Sequence, residues 1–398
     1  GNPFSSRHGH PMIQRLSVNL LLKSVILTLS AAIVVVLSFS AWNSWQREAA
    51  VKRIASVVDV SSNFFTALHN MRVDRATTFR ELNADRLNNP LPAQLKEVRE
   101  AEMPALKAGL AALETVNFPG KDTAVATLDK AIKKLTALQQ EANAAMAQPK
   151  ASRKATLAKE YFDEVDGLIA FLDKLGSQLT TSVKLEDAYI DQLLQIKQLA
   201  WVARNNAGDS SVMISNKLGG QPLPADAMLK YAAFVAKTEG AWTALEDVAS
   251  GLTLPAKFRD AAATAKREFM GSEYTELRLK TLKALIAGEP VTVNVMDWSV
   301  MSVSKLATLL KVADAALETA RDHAAAQRSA AMSSFWVATS LLIIAVLFGA
   351  GMMVLVTRRV TGPLRQIQQA MLKVAEGDFS VVLPGLDNKH EIGDVSDA

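Results

Sequence analysis

The sequence has no cysteine, few glycines and prolines, and few aromatic residues. Its 398 residues include 19 Gly and 13 Pro, and 6% are aromatic. The absence of cysteine excludes a disulfide framework and thiolate metal sites. The scarcity of glycine and proline, together with abundant Ala, Leu and Lys, favours helix throughout. We therefore predict an all-α protein, and its length favours more than one domain.

The sequence also lacks the motifs of nucleic-acid-binding proteins and of enzymes. Its formal net charge of +4 is small for this length, and no Lys/Arg-rich patch with interleaved aromatic residues occurs, so no nucleic-acid partner is expected. There is no glycine-rich phosphate loop and no G-x-S-x-G motif, and none of the five histidines has metal-ligand spacing. We predict that the chain is not an enzyme and has no catalytic residue, metal site or cofactor.

Two long runs carry no charged side chain. They cover residues 24–41 and 335–356, and Trp or Phe together with basic residues lie at their borders. At about 1.5 Å per residue, both are long enough to cross the hydrocarbon core of a lipid bilayer. We predict two transmembrane helices. A cleaved signal peptide is the alternative for the first run, and a buried core helix is the alternative for the second.

Basic residues predict the orientation of these helices. Only basic charged residues precede the first run, and Arg358 and Arg359 directly follow the second. By the positive-inside rule, both ends of the chain are cytoplasmic. Residues 1–23 then form a cytoplasmic N-terminal segment, and the region between the runs lies in the periplasm of a bacterial cell.

The region between the two runs contains an internal repeat. The sequence Pro-Leu-Pro-Ala begins at Pro90 and again at Pro222, 132 residues later, and two further proline-containing breaks recur in the same order. Three matching breaks in order indicate a duplicated unit. The segments between them are rich in Ala and Leu with a period of 3.6, which predicts bundles of helices.

The boundary between the two repeats depends on where the chain reverses. A chain that leaves the membrane and returns to it needs an even number of long crossings, but the clear breaks give seven. A reversal near Gly176 gives helical sensor module 1 at residues 42–176 and module 2 at residues 177–334. The alternative is a helix broken at Pro104 or Gly271.

Each module carries an arginine on a stripe that should face its core. In module 1, residues at a 3-4 spacing form the stripe Leu68, Met71, Arg75, Thr78 and Leu82. In module 2, Arg204 lies on an equivalent stripe with Ala200 and Ser211. Arginine is rarely buried unless it is paired, so each side chain pairs with an acid, extends to the end of the bundle or binds an anion.

These three outcomes lead to a candidate ligand site. For Arg75, pairing with an acid is the favoured interpretation. The candidate partners are Asp74 and Glu81, which are close in sequence, and Asp163, Glu164 and Asp166 on another helix of the same module. Arg204 is surrounded by small residues that leave space beside it. A glycine inside a helix is unfavourable, so the presence of Gly208 in that helix indicates that packing or a ligand requires it. A guanidinium matches a carboxylate or another planar oxyanion. The predicted residues for a small anionic ligand are Arg75, Arg204, Asn205 and Ser211.

Residues 357–398 have the pattern of a coiled-coil helix, a connector and the start of a second helix. After Pro363, a 3.5-residue period typical of a coiled-coil seam is formed by Leu364, Ile367, Met371 and Val374. Gly377 ends this helix, and Glu391 and Gly393 lie at the start of the next. The pattern resembles the HAMP linker of bacterial membrane receptors, with His390 where that family usually has Asp.

The HAMP resemblance implies a homodimer, because two copies of each helix pack as a parallel four-helix bundle that switches between two arrangements. The packing residues would be Pro363, Leu364, Ile367, Met371, Val374, Gly377, Glu391 and Gly393. The alternative is an amphipathic helix that lies on the lipid bilayer.

The whole arrangement resembles a transmembrane chemoreceptor of the methyl-accepting type. Its outer modules loosely resemble helical bimodular or nitrate/nitrite-sensing domains. The resemblance implies an inner-membrane receptor that senses an extracytoplasmic small molecule and signals to a chemotaxis histidine kinase and coupling protein through a C-terminal domain after residue 398. The alternatives are the sensing half of a HAMP-containing sensor histidine kinase or diguanylate cyclase, and a structural membrane protein without a ligand.

Overall fold

The chain folds into long α-helices joined by short loops. The structure is a computed structural model that describes residues 11–377, and in this range it contains helices and no strand, so the all-α prediction is confirmed. The helices are α1 (Pro11–Asn83), α2 (Ala93–Glu114), α3 (Lys121–Met146), α4 (Leu157–Ser182), α5 (Ala188–Leu218), α6 (Ala227–Ser250), α7 (Ala256–Glu268), α8 (Ser272–Ala287), α9 (Val295–Leu355) and α10 (Gly362–Ala375). A short 3₁₀ helix (Lys150–Ser152) precedes α4, and a π-helix (Val356–Thr361) precedes α10.

The helices form two compact units. One consists of residues 50–328, and the other of residues 1–49 and 329–398. The first unit contains the repeat, and all six prolines that mark the repeat lie outside its α-helices. In each half the breaks fall at corresponding loops, so α1 to α4 correspond in order to α5, α6, α7 with α8, and α9. The sequence repeat therefore corresponds to a repeated set of helices.

The chain reversal between the modules is not at the predicted residue. Gly176 lies inside α4, and the reversal occupies residues 183–187 instead. This moves the boundary from residues 176/177 to the loop between α4 and α5. Asp187 starts α5 there, because its side chain accepts a hydrogen bond from the Ile190 backbone N–H at 3.0 Å.

Pro104 and Gly271 were the two alternative positions for a break within a helix, and the structure has a break at one of them. Pro104 lies within α2 without ending it. The chain does break at Gly271, which separates α7 from α8, and a Cβ at this position would lie 2.2 Å from the Arg267 carbonyl oxygen. With α7 and α8 counted together, the outer helices number eight, and the even count that a returning chain requires is met.

A continuous core holds the two modules together. Buried apolar residues of both modules form one cluster, which includes Phe65 of α1, Leu168 of α4, Trp201 of α5 and Leu309 of α9. Phe65 and Trp201 meet edge to face with ring centroids 5.3 Å apart. Burial of such side chains contributes about 1.5–3 kcal/mol each. The modules are therefore two halves of one folded unit.

A buried arginine closes one end of module 1. Arg153 donates hydrogen bonds to the backbone carbonyls of Glu81, Leu82 and Ala84 at 2.8–3.0 Å, and to that of Ala145 at 2.9 Å. The last carbonyls of a helix have no partner within the helix. Arg153 satisfies them at the ends of α1 and α3, which fixes the position at which these helices stop.

In the other unit, parts of α1 and α9 are long and apolar enough to cross a membrane. Their large apolar side chains are mostly exposed, as expected for a surface that contacts lipid. The two helices pack closely, because a Cβ at Gly349 would lie 2.9 Å from the Ser30 hydroxyl oxygen. Trp45 and Phe335 form an aromatic pair with centroids 5.7 Å apart.

Candidate ligand-binding site

Four arginine side chains line a small cavity between α1, α5 and α9. Arg72, Arg75 and Arg80 come from α1 and Arg204 comes from α5, and the cavity volume is ≈ 40 Å³. On α1, Arg75 follows Arg72 by about one turn and Arg80 follows Arg72 by about two turns, so all three lie on one broad side of the helix. We call this the arginine cavity. It has space for only a few heavy atoms, because one water molecule requires at least about 10–15 Å³.

Arg204 is the most deeply buried of the four arginines. It is 3% exposed, and its Nε donates a hydrogen bond to Nδ1 of His69 at 3.2 Å. Among the described residues, no carboxylate oxygen lies within 4.0 Å of its guanidinium. Burial lowers the pKa of Arg204 well below its ordinary value, and the nearby Arg72 lowers it further. A guanidinium nevertheless stays protonated in proteins, so Arg204 is a buried cation without a counter-ion.

His69 does not neutralise this charge. Burial holds the pKa of its imidazole well below the ordinary value, and the Arg204 and Arg72 cations act in the same direction. The ring is therefore neutral. Because Nδ1 accepts the hydrogen bond from Arg204, its proton is on Nε2. His69 orients the guanidinium and supplies no negative charge.

Arg80 is a second buried cation in the cavity wall. Its Nη2 lies 3.4 Å from the Ser299 hydroxyl, and its Nε has no acceptor among the described residues. Burial lowers the pKa of Arg80, and the neighbouring Glu81 opposes this effect. Glu81 itself accepts hydrogen bonds from Arg86 and Asn88. In the part of the chain that the structure describes, Arg80 has no carboxylate within 4.0 Å.

The other two arginines have carboxylate partners. Arg72 pairs with Asp209 at 2.6 Å, and Arg75 pairs with Asp166 at 2.5 Å and lies over the Phe162 ring, 4.9 Å from its centroid. The Asp209 and Asp166 side chains are 41% and 58% exposed, so water screens these pairs. The four arginines of the wall thus have two carboxylates between them, and the cavity has an excess of positive charge.

Serine side chains from two helices complete the cavity wall. Ser211 and Ser215 come from α5, and Ser299 and Ser302 come from α9. Ser215 donates to the Ser211 carbonyl, and Ser302 donates to the Ser299 carbonyl. The Ser211 hydroxyl has no hydrogen bond to another described residue. It is therefore available to a bound molecule.

Three of the four sequence-predicted ligand residues meet in this cavity. Arg75, Arg204 and Ser211 line it, although the sequence assigned the arginines to two separate modules. Asn205 lies outside the lining, and its carbonyl oxygen is 3.4 Å from Nη2 of Arg72. The acid pairing expected for Arg75 is present.

Several residues of the site were not found from the sequence. They are Arg72, Arg80, Ser215, Ser299, Ser302 and the supporting His69. Arg72 and Ser215 had a usable signal, since Arg72 lies about one turn from Arg75 on α1 and Ser215 about one turn from Ser211 on α5. Ser299 and Ser302 had none, because the contact of α9 with this face is a tertiary feature.

Gly208 provides space for the Arg204 side chain. A Cβ at Gly208 would lie 2.7 Å from Nη1 of Arg204. Glycine inside a helix costs about 1 kcal/mol relative to alanine. The position of the guanidinium gives a physical reason for a glycine at this point of α5.

Module 1 contains a separate buried polar network. Asp74 accepts hydrogen bonds from Tyr161 at 2.7 Å, Thr78 at 2.7 Å and Arg99 at 3.2 Å. Glu102 accepts from Gln139 at 2.7 Å, and its second oxygen has no partner among the described residues. Burial raises the pKa of Glu102 well above its ordinary value, and the Asp74 carboxylate raises it further. Asp74, Glu102 and Tyr161 are fully buried, so the network forms part of the core.

The C-terminal described segment presents an amphipathic helix. In α10, Ile367 is 1% exposed, whereas Met371 and Val374 are 40% and 39% exposed. Gly377 has a φ of +95°, which glycine adopts without strain and which ends the helix. The other predicted packing residues of α10 are Pro363 and Leu364. Glu391 and Gly393 lie outside the described residues.

Comparison with protein families identifies this segment. A family model described as HAMP domain matches residues 355–398. The chain contains a HAMP domain. Its first helix is α10, preceded by the π-helix that follows α9. HAMP domains commonly dimerise in membrane proteins, and together with the two apolar helices this indicates a membrane signal-transducing sensor.

The fold of most of the chain is similar to that of a solved structure. This structure, "Structure of the NasR transcription antiterminator", matches with a TM-score of 0.54 and 14% sequence identity, over 86% of this chain and 90% of that chain. At this identity the likeness shows the helical fold alone. Among curated proteins, none matches the sequence.

Proposed function

We propose that this chain is the sensing and relay part of a chemoreceptor-type membrane protein that binds a compact oxyanion in the arginine cavity. The observation that carries the proposal is Arg204, a buried guanidinium without a carboxylate. Burial of a charge is costly unless the charge has a partner. A bound anion supplies that partner, and the adjacent Arg80 adds a second unneutralised cation.

The size of the cavity selects the class of anion. A volume of ≈ 40 Å³ admits an ion with a few heavy atoms, such as nitrate, nitrite, formate or bicarbonate. Two oxygens of a planar anion match the paired N–H groups of a guanidinium. Dicarboxylates and tricarboxylates are too large for the cavity in this conformation. The Ser211 hydroxyl is a suitable donor for a third oxygen.

The cavity wall supports a route for the signal. Three of its arginines are on α1 and two of its serines are on α9, and each of these helices also contains one of the two apolar runs. An anion that holds α1, α5 and α9 together favours one packing of these helices over another. We propose that α9 passes this preference to the HAMP domain of a dimer.

The orientation is part of the proposal. Arg358 and Arg359 after the second apolar run support a cytoplasmic HAMP domain and an extracytoplasmic sensing unit. In this proposal a cytoplasmic signalling domain supplies the output, and the arginine cavity performs recognition.

Calorimetric titration of the full chain in detergent micelles with a set of anions tests the proposed ligand class. We expect binding of at least one of nitrate, nitrite, formate and bicarbonate, and no binding of succinate or citrate. The Arg204→Ala variant should lose this binding. Binding of succinate in preference to every small anion, or full binding by Arg204→Ala, would overturn the proposal.

A further inference from the structure

A second cavity lies in the same unit between α1, α4 and α5. Its volume is ≈ 200 Å³, and it shares no lining residue with the arginine cavity. Phe64 and Phe65 of α1 form an apolar wall, and the exposed side chains of Ser177 and Gln198 lie at its edge. By the same measure, in which one water molecule requires at least about 10–15 Å³, this cavity has room for a small organic molecule. We call it the lysine cavity.

Two opposite charges line this cavity without pairing with each other. Lys197 has no hydrogen bond and no carboxylate within 4.0 Å among the described residues. Asp173 accepts a hydrogen bond at Oδ1 from the Trp201 indole N–H at 3.0 Å, and its Oδ2 accepts none in the described part of the chain. The cavity therefore offers a free ammonium group and a free carboxylate oxygen.

Both charged groups lie in a partly buried environment. Burial lowers the pKa of Lys197 to about 8, and Asp173 opposes the shift. Burial also raises the pKa of Asp173. Both shifts have the direction expected for charges that are partly removed from water. At neutral pH, Lys197 with a pKa near this value is still mostly protonated.

The charge balance decides the class of ligand. A simple anion would neutralise Lys197 and leave the Asp173 oxygen unpaired, and a simple cation would do the reverse. A zwitterion pairs with both groups, and an apolar side chain fits the wall formed by Phe64 and Phe65. We propose that the lysine cavity binds a small apolar α-amino acid, with its carboxylate on Lys197 and its ammonium group on Asp173.

This site is independent of the arginine cavity but lies on the same two helices. Both cavities are lined by α1 and α5, the lysine cavity by residues 61–68 and 194–201 and the arginine cavity by residues 72–80 and 204–215. The receptor would then sense two chemically different molecules at one helix pair.

Calorimetric titration of the full chain with leucine and two analogues tests the inference. 4-Methylpentanoate lacks the amino group of leucine, and 3-methylbutylamine lacks its carboxylate. We expect leucine to bind and each analogue to bind at least about tenfold more weakly, because each leaves one charge of the cavity unpaired. An analogue that binds as tightly as leucine would overturn the zwitterion assignment, and failure of all twenty standard amino acids to bind would overturn the site.

Single substitutions locate the binding. Lys197→Met and Asp173→Asn should each weaken leucine binding at least about tenfold, and Asn at position 173 can still accept the Trp201 hydrogen bond. Lys174→Met removes a charge from the exposed face of α4 and serves as the matched control. Arg204→Ala should leave leucine binding unchanged, which separates this test from that of the proposed function. Unchanged leucine binding in both Lys197→Met and Asp173→Asn would overturn the inference.

Discussion

At the scale of single residues, the first unit keeps several ionisable groups away from water. Arg204 and Glu102 show two different ways in which a buried ionisable group is accommodated. Arg204 keeps its charge, and its side-chain partner in the described part of the chain is a neutral histidine that accepts a hydrogen bond from its Nε. The raised pKa of Glu102 instead favours a neutral carboxyl group. The difference follows from their chemistry, since a carboxylate can take up a proton and a guanidinium cannot readily lose one. We propose that a bound anion supplies the counter-charge of this arginine.

The Glu102 carboxyl group predicts a pH dependence of stability. In the folded chain its pKa is raised, so the folded state retains a proton that the unfolded state releases above about pH 4.3. The free energy of unfolding should therefore fall as pH rises from that value through the folded pKa of Glu102. Glu102→Gln should make this pH dependence less steep. Denaturant unfolding in detergent micelles from pH 5 to 8 measures it.

The control for this experiment is Glu100→Gln, a substitution of an exposed glutamate on the same helix. It should leave the pH dependence as it is in the unchanged chain. Parallel pH profiles for Glu102→Gln and the unchanged chain would contradict the account of a protonated buried carboxyl group.

At the scale of helices, the residues of α5 near Arg204 leave space for its side chain. Gly208 follows Arg204 by one turn, and Ser211 follows Gly208 by about another turn. The glycine leaves room for the guanidinium, and the serine offers a free hydroxyl at the cavity. These three residues lie on one face of α5, which contacts α1 and α9 through the cavity wall.

Gly208→Ala should separate helix stability from ligand binding. The new Cβ would lie 2.7 Å from Nη1 of Arg204 and displace the guanidinium, so we expect anion affinity to fall by at least about tenfold. The helix itself gains about 1 kcal/mol from alanine, which offsets part of the steric cost. Titration with the anion that binds best, together with denaturant unfolding, measures the two effects.

Gly167→Ala in α4 is the matched control, because a Cβ there meets no atom within 4 Å. It should raise the free energy of unfolding by up to about 1 kcal/mol and leave anion affinity unchanged. Equal anion affinities for Gly208→Ala and Gly167→Ala would contradict the role given to Gly208.

Helix positions were largely predictable from the sequence, and the packing partners of those helices were not. The proline breaks at Pro90 and Pro222 and the 3.6-residue period are local signals, and they led to the correct helical repeat. The reversal at residues 183–187 contains neither proline nor glycine, so the sequence placed it at Gly176 instead. The sequence pattern marked Arg75 and Arg204 as arginines on core-facing stripes. It did not predict that they line one cavity, because that depends on contacts between the two modules, which a local pattern does not contain.

At the scale of the whole molecule, two long helices belong to both compact units. α1 runs from Pro11 to Asn83 and α9 from Val295 to Leu355, and each contains residues of the arginine cavity wall and an apolar run. We propose that these helices carry a change in packing from the arginine cavity toward the HAMP domain. The HAMP helix α10 leaves Met371 and Val374 exposed in the single chain.

The exposed seam of α10 predicts contact with a second copy. Because the sequence contains no cysteine, a single introduced cysteine reports one position only. Met371→Cys should form a disulfide-linked dimer when membranes are treated with a mild oxidant, since seam residues of a parallel coiled coil face each other. Gln369→Cys, on the outer side of the same helix, should cross-link much less. Equal cross-linking at the two positions would contradict a parallel HAMP dimer.

Thermal unfolding of the full chain with and without the best-binding small oxyanion tests the central claim most directly. At a hundred times its dissociation constant, the anion should stabilise the unchanged chain by about 2.7 kcal/mol. Arg259→Met, which removes an exposed arginine, should retain this stabilisation. Arg204→Met should show none, and without anion it should be as stable as the unchanged chain or more stable, because it no longer buries an unpaired charge. Equal stabilisation of Arg204→Met and Arg259→Met by the anion would contradict the claim that Arg204 is the anion receptor.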